Sequence, residues 1–163
     1  MKTIWLTDDE LLIIKRNAEL KGFPSKTTFY GKTYNQAKML ADQFTGQAGE
    51  AALSKYLTGS IDLYCKTRAV RNENPYLGDG GTDLLGLKVD VKTTRMLNGN
   101  VKGYHLWIRE KEFHRNITYY LALMPAERND QVMIIGSIEG SDIPKAKYDD
   151  RMQVQINDLH PSY

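Results

Sequence analysis

The chain has one cysteine, Cys65, so it has no intrachain disulfide, and no Cys/His group shows zinc-finger spacing. No apolar run approaches the roughly 18 residues that would span a bilayer. The opening Met1-Lys2-Thr3-Ile4-Trp5 holds no apolar signal core and leads into Asp8-Asp9-Glu10. These absences predict an intracellular, cytoplasmic protein with no membrane partner. There is no Walker-type loop and no dinucleotide fingerprint, because Gly78-Asp79-Gly80-Gly81 is too short and opens no helix. Nothing therefore suggests an organic cofactor. No repeat, low-complexity stretch or linker marks a boundary, and 163 residues suit one domain. The excess of one charge is small: 22 Lys+Arg against 20 Asp+Glu give +2, too little on its own to announce a nucleic-acid binder.

What is present is an ordinary globular composition, 41% hydrophobic and 26% charged, enough for a substantial core. Thr7-Asp8-Asp9-Glu10 reads as a capping box with Leu6 and Leu11 as its hydrophobic staple. The helix it opens should run to about Lys21, with Leu11, Ile14 and Ala18 on one face and Gly22 as its stop. Residues 23–34 read as a polar connection. A second helix, from about Asn35 to Gly59, carries Ala37, Leu40, Phe44, Ala48 and Ala51 at helical spacing. Gly46 and Gly49 in its middle cost roughly 1 kcal/mol each relative to Ala, so they imply close backbone packing or a kink.

The rest reads as strands. A short strand is expected at 61–65, then a basic loop over 66–81. Residues 82–85, a turn at Gly86 and residues 87–97 read as a hairpin, and Asn98-Gly99 predicts a second hairpin to a strand at 101–109. Residues 110–116 suit one or two helical turns. The apolar runs 117–124 and 131–138 read as a third hairpin, and 152–156 as a last strand. Trp5 and Trp107 are read as packing residues. Two helices followed by a mostly hairpin-connected sheet give an α/β class, an α+β arrangement with a mixed sheet.

Charge is distributed unevenly. Lys66, Arg68 and Arg71 cluster, and basic residues outnumber acids from Lys88 to Arg115, Lys102 and Arg109 among them. Within that stretch, strand alternation puts Lys88, Asp90, Lys92 and Thr94 on one face and Val89, Val91 and Thr93 on the other. Asp90 and Lys92 are then about 7 Å apart at Cα, with Asp83 folded back beside Asp90 across the turn. Two convergent carboxylates suit a hard divalent cation that keeps open positions for substrate phosphate. A lysine beside them stays protonated and can meet that phosphate or a nucleophilic water. The acid-x-Lys triplet is common: Glu19-Leu20-Lys21 repeats it, but in a predicted helix, where positions i and i+2 diverge.

Gly49-Glu50 on the second helix, Asp83, and Asp90-Val91-Lys92 together resemble the PD-(D/E)xK nuclease superfamily, over about 90 of the 163 residues. The family's proline before its first aspartate is replaced by Thr82, and its second core helix is reduced to 110–116. The resemblance implies a restriction-endonuclease-like core over 35–163, with residues 1–34 as an N-terminal helix and connection packed on it. It implies Asp83 and Asp90 as metal ligands, the Val91 carbonyl as a further ligand, Glu50 completing the site directly or through water, and Lys92 activating water or stabilising the transition state. Asp79 rivals Asp83. Mg2+ is the implied metal, with Mn2+ able to substitute, and the implied reaction is endonucleolytic hydrolysis of DNA. Lys66, Arg68, Arg71, Thr94, Arg95 and Lys102 are the candidate DNA-contacting residues. Residues 25–34, with Lys26, Tyr30, Lys32 and Tyr34, read as a surface loop.

A compact chain without a separate recognition domain predicts a homodimer, since a double-strand cut needs two active sites. The competing readings are a non-catalytic binding module with the same fold and an RNA-cleaving enzyme with the same site. His114-Arg115-Asn116 lacks the ββα context of an HNH nuclease.

Overall fold

The computed structural model describes residues 1–20, 26–29, 32–73, 82–97, 99–144, 147–148 and 150–162, with backbone only at 26–29, 32–34 and 147–148. Asp79 and most of the 25–34 segment's side chains therefore lie outside the described residues. The chain is mixed α/β, with a mixed sheet and three α-helices among the described residues. In order, the elements are β1 (Lys2–Trp5), α1 (Asp8–Leu20), β2 (Lys26–Phe29), β3 (Lys32–Asn35), α2 (Gln36–Thr58), α3 (Asp62–Glu73), β4 (Val89–Met96), β5 (His105–Arg109), β6 (Thr118–Pro125), β7 (Gln131–Glu139), β8 (Lys147–Tyr148), β9 (Arg151–Gln155) and β10 (His160–Pro161). No helix among the described residues is long and apolar enough to cross a membrane.

The central sheet runs β1-β7-β6-β4, with β10 pairing the far half of β7 beyond β1. β4 and β6 are parallel, and the other pairs are antiparallel. One face carries the helices over a core of Ile14, Leu53, Tyr64, Val89, Val91, Ala122 and Ile134. The other face packs Tyr119, Leu121, Leu123 and Met133 against Leu106, Ile108, Met152 and Val154 of the small sheet β5-β9-β8. β6 and β7 are thus apolar on both faces, as strands covered on two sides are. Between Leu121 and Ala122 the β6–β7 register slips by one. The slip flips the parity of β7, so Ile138 faces the same layer as Met133 and Ile135.

Local sequence signals hold at both long helices. Thr7 Oγ1 accepts the Glu10 N–H at 3.3 Å and Glu10 Oε2 accepts the Thr7 N–H at 2.7 Å. The Glu10 carboxylate also takes Lys55 Nζ at 2.8 Å, tying α1 to α2. Asn35 caps α2 through the Lys38 N–H, and Gly59 ends it at φ +85°, a left-handed conformation that suits glycine. Residues 47–54 of α2 are buried without a break, because α1, α3 and β4 surround the helix.

Four expectations are corrected. The polar connection 23–34 contains a two-stranded hairpin, β2–β3. The strand expected at 61–65 is the start of α3: alternating Ile61, Leu63 and Cys65 imitate a strand, but Ile61, Tyr64 and Thr67 are buried at helical spacing. The tail of α3 also takes the first part of the basic loop. Residues 82–85 form a turn rather than a strand, closed by Leu87 N–H to Leu84 O at 3.1 Å, with Gly86 at φ +77°. Asn98 lies outside the described residues, and among those described the strands flanking Asn98-Gly99 do not pair: β5 pairs β9, from His105↔Gln155 to Arg109↔Arg151. That exchange buries Leu106 and Ile108 completely, an apolar gain that a local turn preference cannot match. Neither tryptophan is a core residue. Trp5 lies under the Arg128 guanidinium, 4.9 Å from the ring centroid, and Trp107 is partly exposed.

The two α2 glycines have different reasons. A Cβ at Gly49 would stand 1.7 Å from Thr93 Oγ1 and 2.8 Å from Thr93 Cβ, so rotating the threonine cannot clear it. At Gly46 a Cβ meets nothing within 4 Å. Gly49→Ala should therefore destabilise the fold by about 1–3 kcal/mol through overpacking, whereas Gly46→Ala should stabilise it by up to about 1 kcal/mol. Urea unfolding of both variants is the check, and equal effects would refute a close helix–strand approach at Gly49.

Candidate active site

The site forms where α2, α3 and the start of β4 meet. Gly49 lets α2 lie against Thr93, which brings its neighbour Glu50 to the edge of β4. Helical spacing on α3 turns Tyr64, Thr67, Arg68 and Arg71 toward α2 and the turn at 82–85. Tyr64 Oη donates to Gln47 Oε1 at 2.7 Å, and Thr67 Oγ1 accepts the Leu85 N–H at 2.9 Å. Arg71 donates to the Thr82 carbonyl, and Leu84 is fully buried. The turn is thus pinned on both sides of Asp83.

Asp83 then meets β4 twice. Its N–H donates to the Val89 carbonyl at 2.8 Å, and its Oδ2 accepts the Val91 N–H at 2.6 Å. In the parallel ladder the even residues of β4 bond β6, as the Thr118 N–H to Lys88 O contact at 2.9 Å shows, so odd residues point their backbone outward. The Val91 carbonyl therefore points to the same outer edge as its N–H, the side on which Asp83 sits.

Asp90 and Lys92 extend from the opposite face to Val89 and Val91, as alternation requires. Lys92 Nζ lies 3.0 Å from Asp90 Oδ2 and 3.3 Å from Glu112 Oε2. Asp90 is buried, and its Oδ1 has no hydrogen-bond partner among the described residues. Glu50 is buried as well, in an ion pair with Arg68 and 3.8 Å from Arg71. The structure thus links the four candidates in series: the Asp83 charge acts on both Glu50 and Asp90, Asp90 pairs with Lys92 on the strand face opposite α2, and Arg68 and Arg71 are partners of Glu50.

The other charged candidates lie apart. Lys66 points off the exposed face of α3, and Lys102 is exposed in a short 3-10 turn. Arg95, five residues or about 16 Å along β4 from Asp90, joins α2 to the β6–β7 turn. It donates to Thr45 Oγ1, the Pro125 and Arg128 carbonyls and Asn129 Oδ1. Thr94 is exposed on the Lys92 face. Sequence reasoning missed Glu112, which sits in a single 3-10 turn, Glu110–Glu112, and also meets Arg109 at 3.5 Å. Its only sequence signal was an acid in the short turn before the strand that pairs with β4.

Burial sets the electrostatics. Desolvation and the Asp83 charge raise Glu50 to about 7 against the opposing pull of Arg68 and Arg71. Desolvation and Asp83 likewise raise Asp90 to about 7, with Lys92 opposing. Burial also raises Asp83, less the help of the Val91 N–H and Lys92. For Lys92 burial pulls down, but Asp90, Asp83 and Glu112 outweigh it and hold the ammonium charged.

Among the described residues no three acid, histidine or cysteine side chains already form a metal-binding group. The donor set fits a hard cation in a more open way: the unpartnered Asp90 Oδ1, Asp83 beside it, and the outward Val91 carbonyl, with the remaining positions left to water and substrate. Glu50, held by Arg68, would reach such an ion through water. The chain matches no protein-family model, no curated protein and no solved structure.

The raised carboxyls have a definite effect on stability. They ionise near pH 4 in the unfolded chain but hold protons to about pH 7 when folded. The folded state therefore carries extra protons between those limits and loses stability as pH rises through them. A bound divalent cation removes the cause. Without metal, the thermal midpoint should fall from about pH 5 to about pH 8, and Mg2+ should raise it more at the higher pH. Asp90→Asn should flatten both responses; a metal-free midpoint that climbs across this range would contradict the assignment.

Proposed function

We propose that the chain is a divalent-metal-dependent endonuclease that hydrolyses DNA phosphodiester bonds, built on a restriction-endonuclease-like core. One observation carries the reading. The fold buries a carboxylate, Asp90, with an unpartnered oxygen, sets a second carboxylate beside it through the Asp83–Val91 contact, and places Lys92 Nζ 3.0 Å from the first. Burying like charges is costly unless a cation joins them, so the arrangement makes sense around a ligand that supplies positive charge.

Asp83, Asp90 and the Val91 carbonyl would hold the Mg2+, or Mn2+ in its place, with Glu50 contributing through water. A bound divalent ion supplies a more acidic water and neutralises charge building on the phosphate. The remaining roles belong to the chain. Lys92, kept protonated by Asp90, Asp83 and Glu112, directs a fixed positive charge at a non-bridging phosphate oxygen. Arg68 and Arg71 hold Glu50 in place, and the turn anchored by Leu84 holds Asp83. Four acids (Glu50, Asp83, Asp90, Glu112) face four bases (Arg68, Arg71, Lys92, Arg109). Above about pH 7, where Glu50 and Asp90 are ionised, the centre has no surplus charge to attract DNA unaided, and binding there should strengthen when a divalent ion is present.

One feature of the chain order supports the reading less directly, and one counts against it. α2 with its Glu50 precedes the Asp83 turn and the Asp90-Val91-Lys92 strand, as the resemblance implies. Against it, the hairpins expected from 82 to 109 are replaced by β4 paired in parallel with β6, with β5 diverted to the small sheet.

The test is incubation of supercoiled plasmid with the protein and Mg2+ or Mn2+, beside Asp90→Ala, Lys92→Ala and an EDTA control. The expected result is nicking or linearisation, abolished by EDTA and reduced at least about 100-fold in each variant, the scale of removing one preorganised charged group. Cleavage that survives Asp90→Ala would remove the site from the reaction. A folded wild type that binds neither metal nor DNA would refute the reading.

A further inference from the structure

Next to Lys92 lies a cavity of about 310 Å³ that the hydrolytic site does not use. It is lined by Leu121 of β6 and by Lys92, Thr93 and Thr94 of β4, Lys92 and Thr94 lying on the strand face that carries Asp90. The facing wall is Tyr104, His105 and Trp107, at the start of β5. Leu106 and Ile108 fill the core beneath, so alternation turns His105 and Trp107 away from it. These aromatics are fixed in place. Tyr104 Oη accepts the Leu97 N–H at 2.8 Å, and the His105 and Trp107 rings meet edge-on with centroids 6.3 Å apart. Trp107 keeps 37% of its surface in solvent.

Resting on the nuclease reading, we propose that this cavity is a nucleobase subsite: it takes an unstacked base next to the phosphate held at Lys92, so the preferred substrate is DNA with an unpaired, single-stranded or frayed segment. Size, lining and position agree. A volume of about 310 Å³ is at the small end for ligand pockets and holds one flat ring system. Aromatic walls bind any base through its π-face, with little sequence preference. The Thr94 hydroxyl is the hydrogen-bonding group the wall offers to a base edge. Because Lys92 is both a wall of the cavity and the partner of Asp90, a phosphate at the site brings its own or the next nucleoside to the opening. In a paired duplex that base is turned inward and stacked, so entry needs a strand already open or a base swung out, which costs a few kcal/mol.

The test reads binding separately from cleavage. The full chain, in a Trp5→Phe background so that Trp107 is the remaining indole, is titrated with a short single-stranded deoxythymidine oligonucleotide and with the same strand annealed to its complement. Ca2+ replaces Mg2+, and fluorescence anisotropy of a labelled strand is followed beside Trp107 emission. The expected result is saturable quenching by the single strand and little by the duplex. Trp107→Ala should weaken single-strand binding about 5- to 100-fold, Trp107→Phe should retain most of it, and duplex binding should be unchanged. Single-strand binding without quenching, equal loss on both substrates, or no binding of either would overturn the proposal. Plasmid cleavage by the wild type alongside an unaffected Trp107→Ala titration would refute the subsite alone. Quenching with no cleavage of any substrate would refute the nuclease reading and leave the subsite standing.

Discussion

The contact on which the site depends is the hydrogen bond from the Val91 N–H to the Asp83 carboxylate. β4 is the last strand of the central sheet, and its odd residues present their backbone groups to the outside. At Val89 and Val91 the 83–89 turn supplies a partner, once through the Asp83 N–H and once through its side chain. A carboxylate stands where the backbone of another strand would otherwise be. The Val89 carbonyl and the Val91 N–H are satisfied, and the acid is fixed within the field of Asp90, which its charge raises. Folding and charge placement share one bond, so Asp83 cannot be moved without uncapping the strand.

The same economy applies to α2 and α3. Glu50 is buried among apolar neighbours, where an isolated carboxylate would be strongly disfavoured. α3 brings Arg68 and Arg71 to it from one helical face, and arginine suits the role because its planar group stays charged when buried. These two residues were first read as DNA-contacting because they sit in a run of basic residues. Charge in sequence does not reveal which cations are already paired. Once α3 is seen as a helix, the 64/67/68/71 spacing separates the inward Arg68 and Arg71 from the outward Lys66.

How much was legible follows from the range of each interaction. The capping box, the 35–59 bounds of the second helix and the 117–138 hairpin are local signals, and each has its structural counterpart. The Asp90-Val91-Lys92 alternation was legible because a strand has only two faces. What failed was long-range. Ile61–Cys65 alternates like a strand yet joins a helix, because Tyr64 and Thr67 find partners in Gln47 and Leu85. Asn98-Gly99 signals a hairpin, but β6 takes the inner edge of β4 and β9 takes β5. Glu112 was invisible for the same reason: nothing within its own turn shows that Lys92, twenty residues earlier, lies 3.3 Å away.

The unpartnered Asp90 oxygen is the point at which fold stability and site chemistry diverge. A buried polar atom without a partner costs about 1–3 kcal/mol, and the neighbouring Asp83 charge adds to the penalty on ionised Asp90. An apolar side chain at position 90 would relieve the penalty on Oδ1, at the cost of the Lys92 ion pair. Lys92 does not remove the cost, since it contacts only Oδ2 and shares its charge with Glu112. The cost falls at a residue the proposed chemistry needs, and the proposed cation would relieve it. Local destabilisation of this kind is what a preorganised charged site requires, because the ligand that relieves it is also the one the site selects.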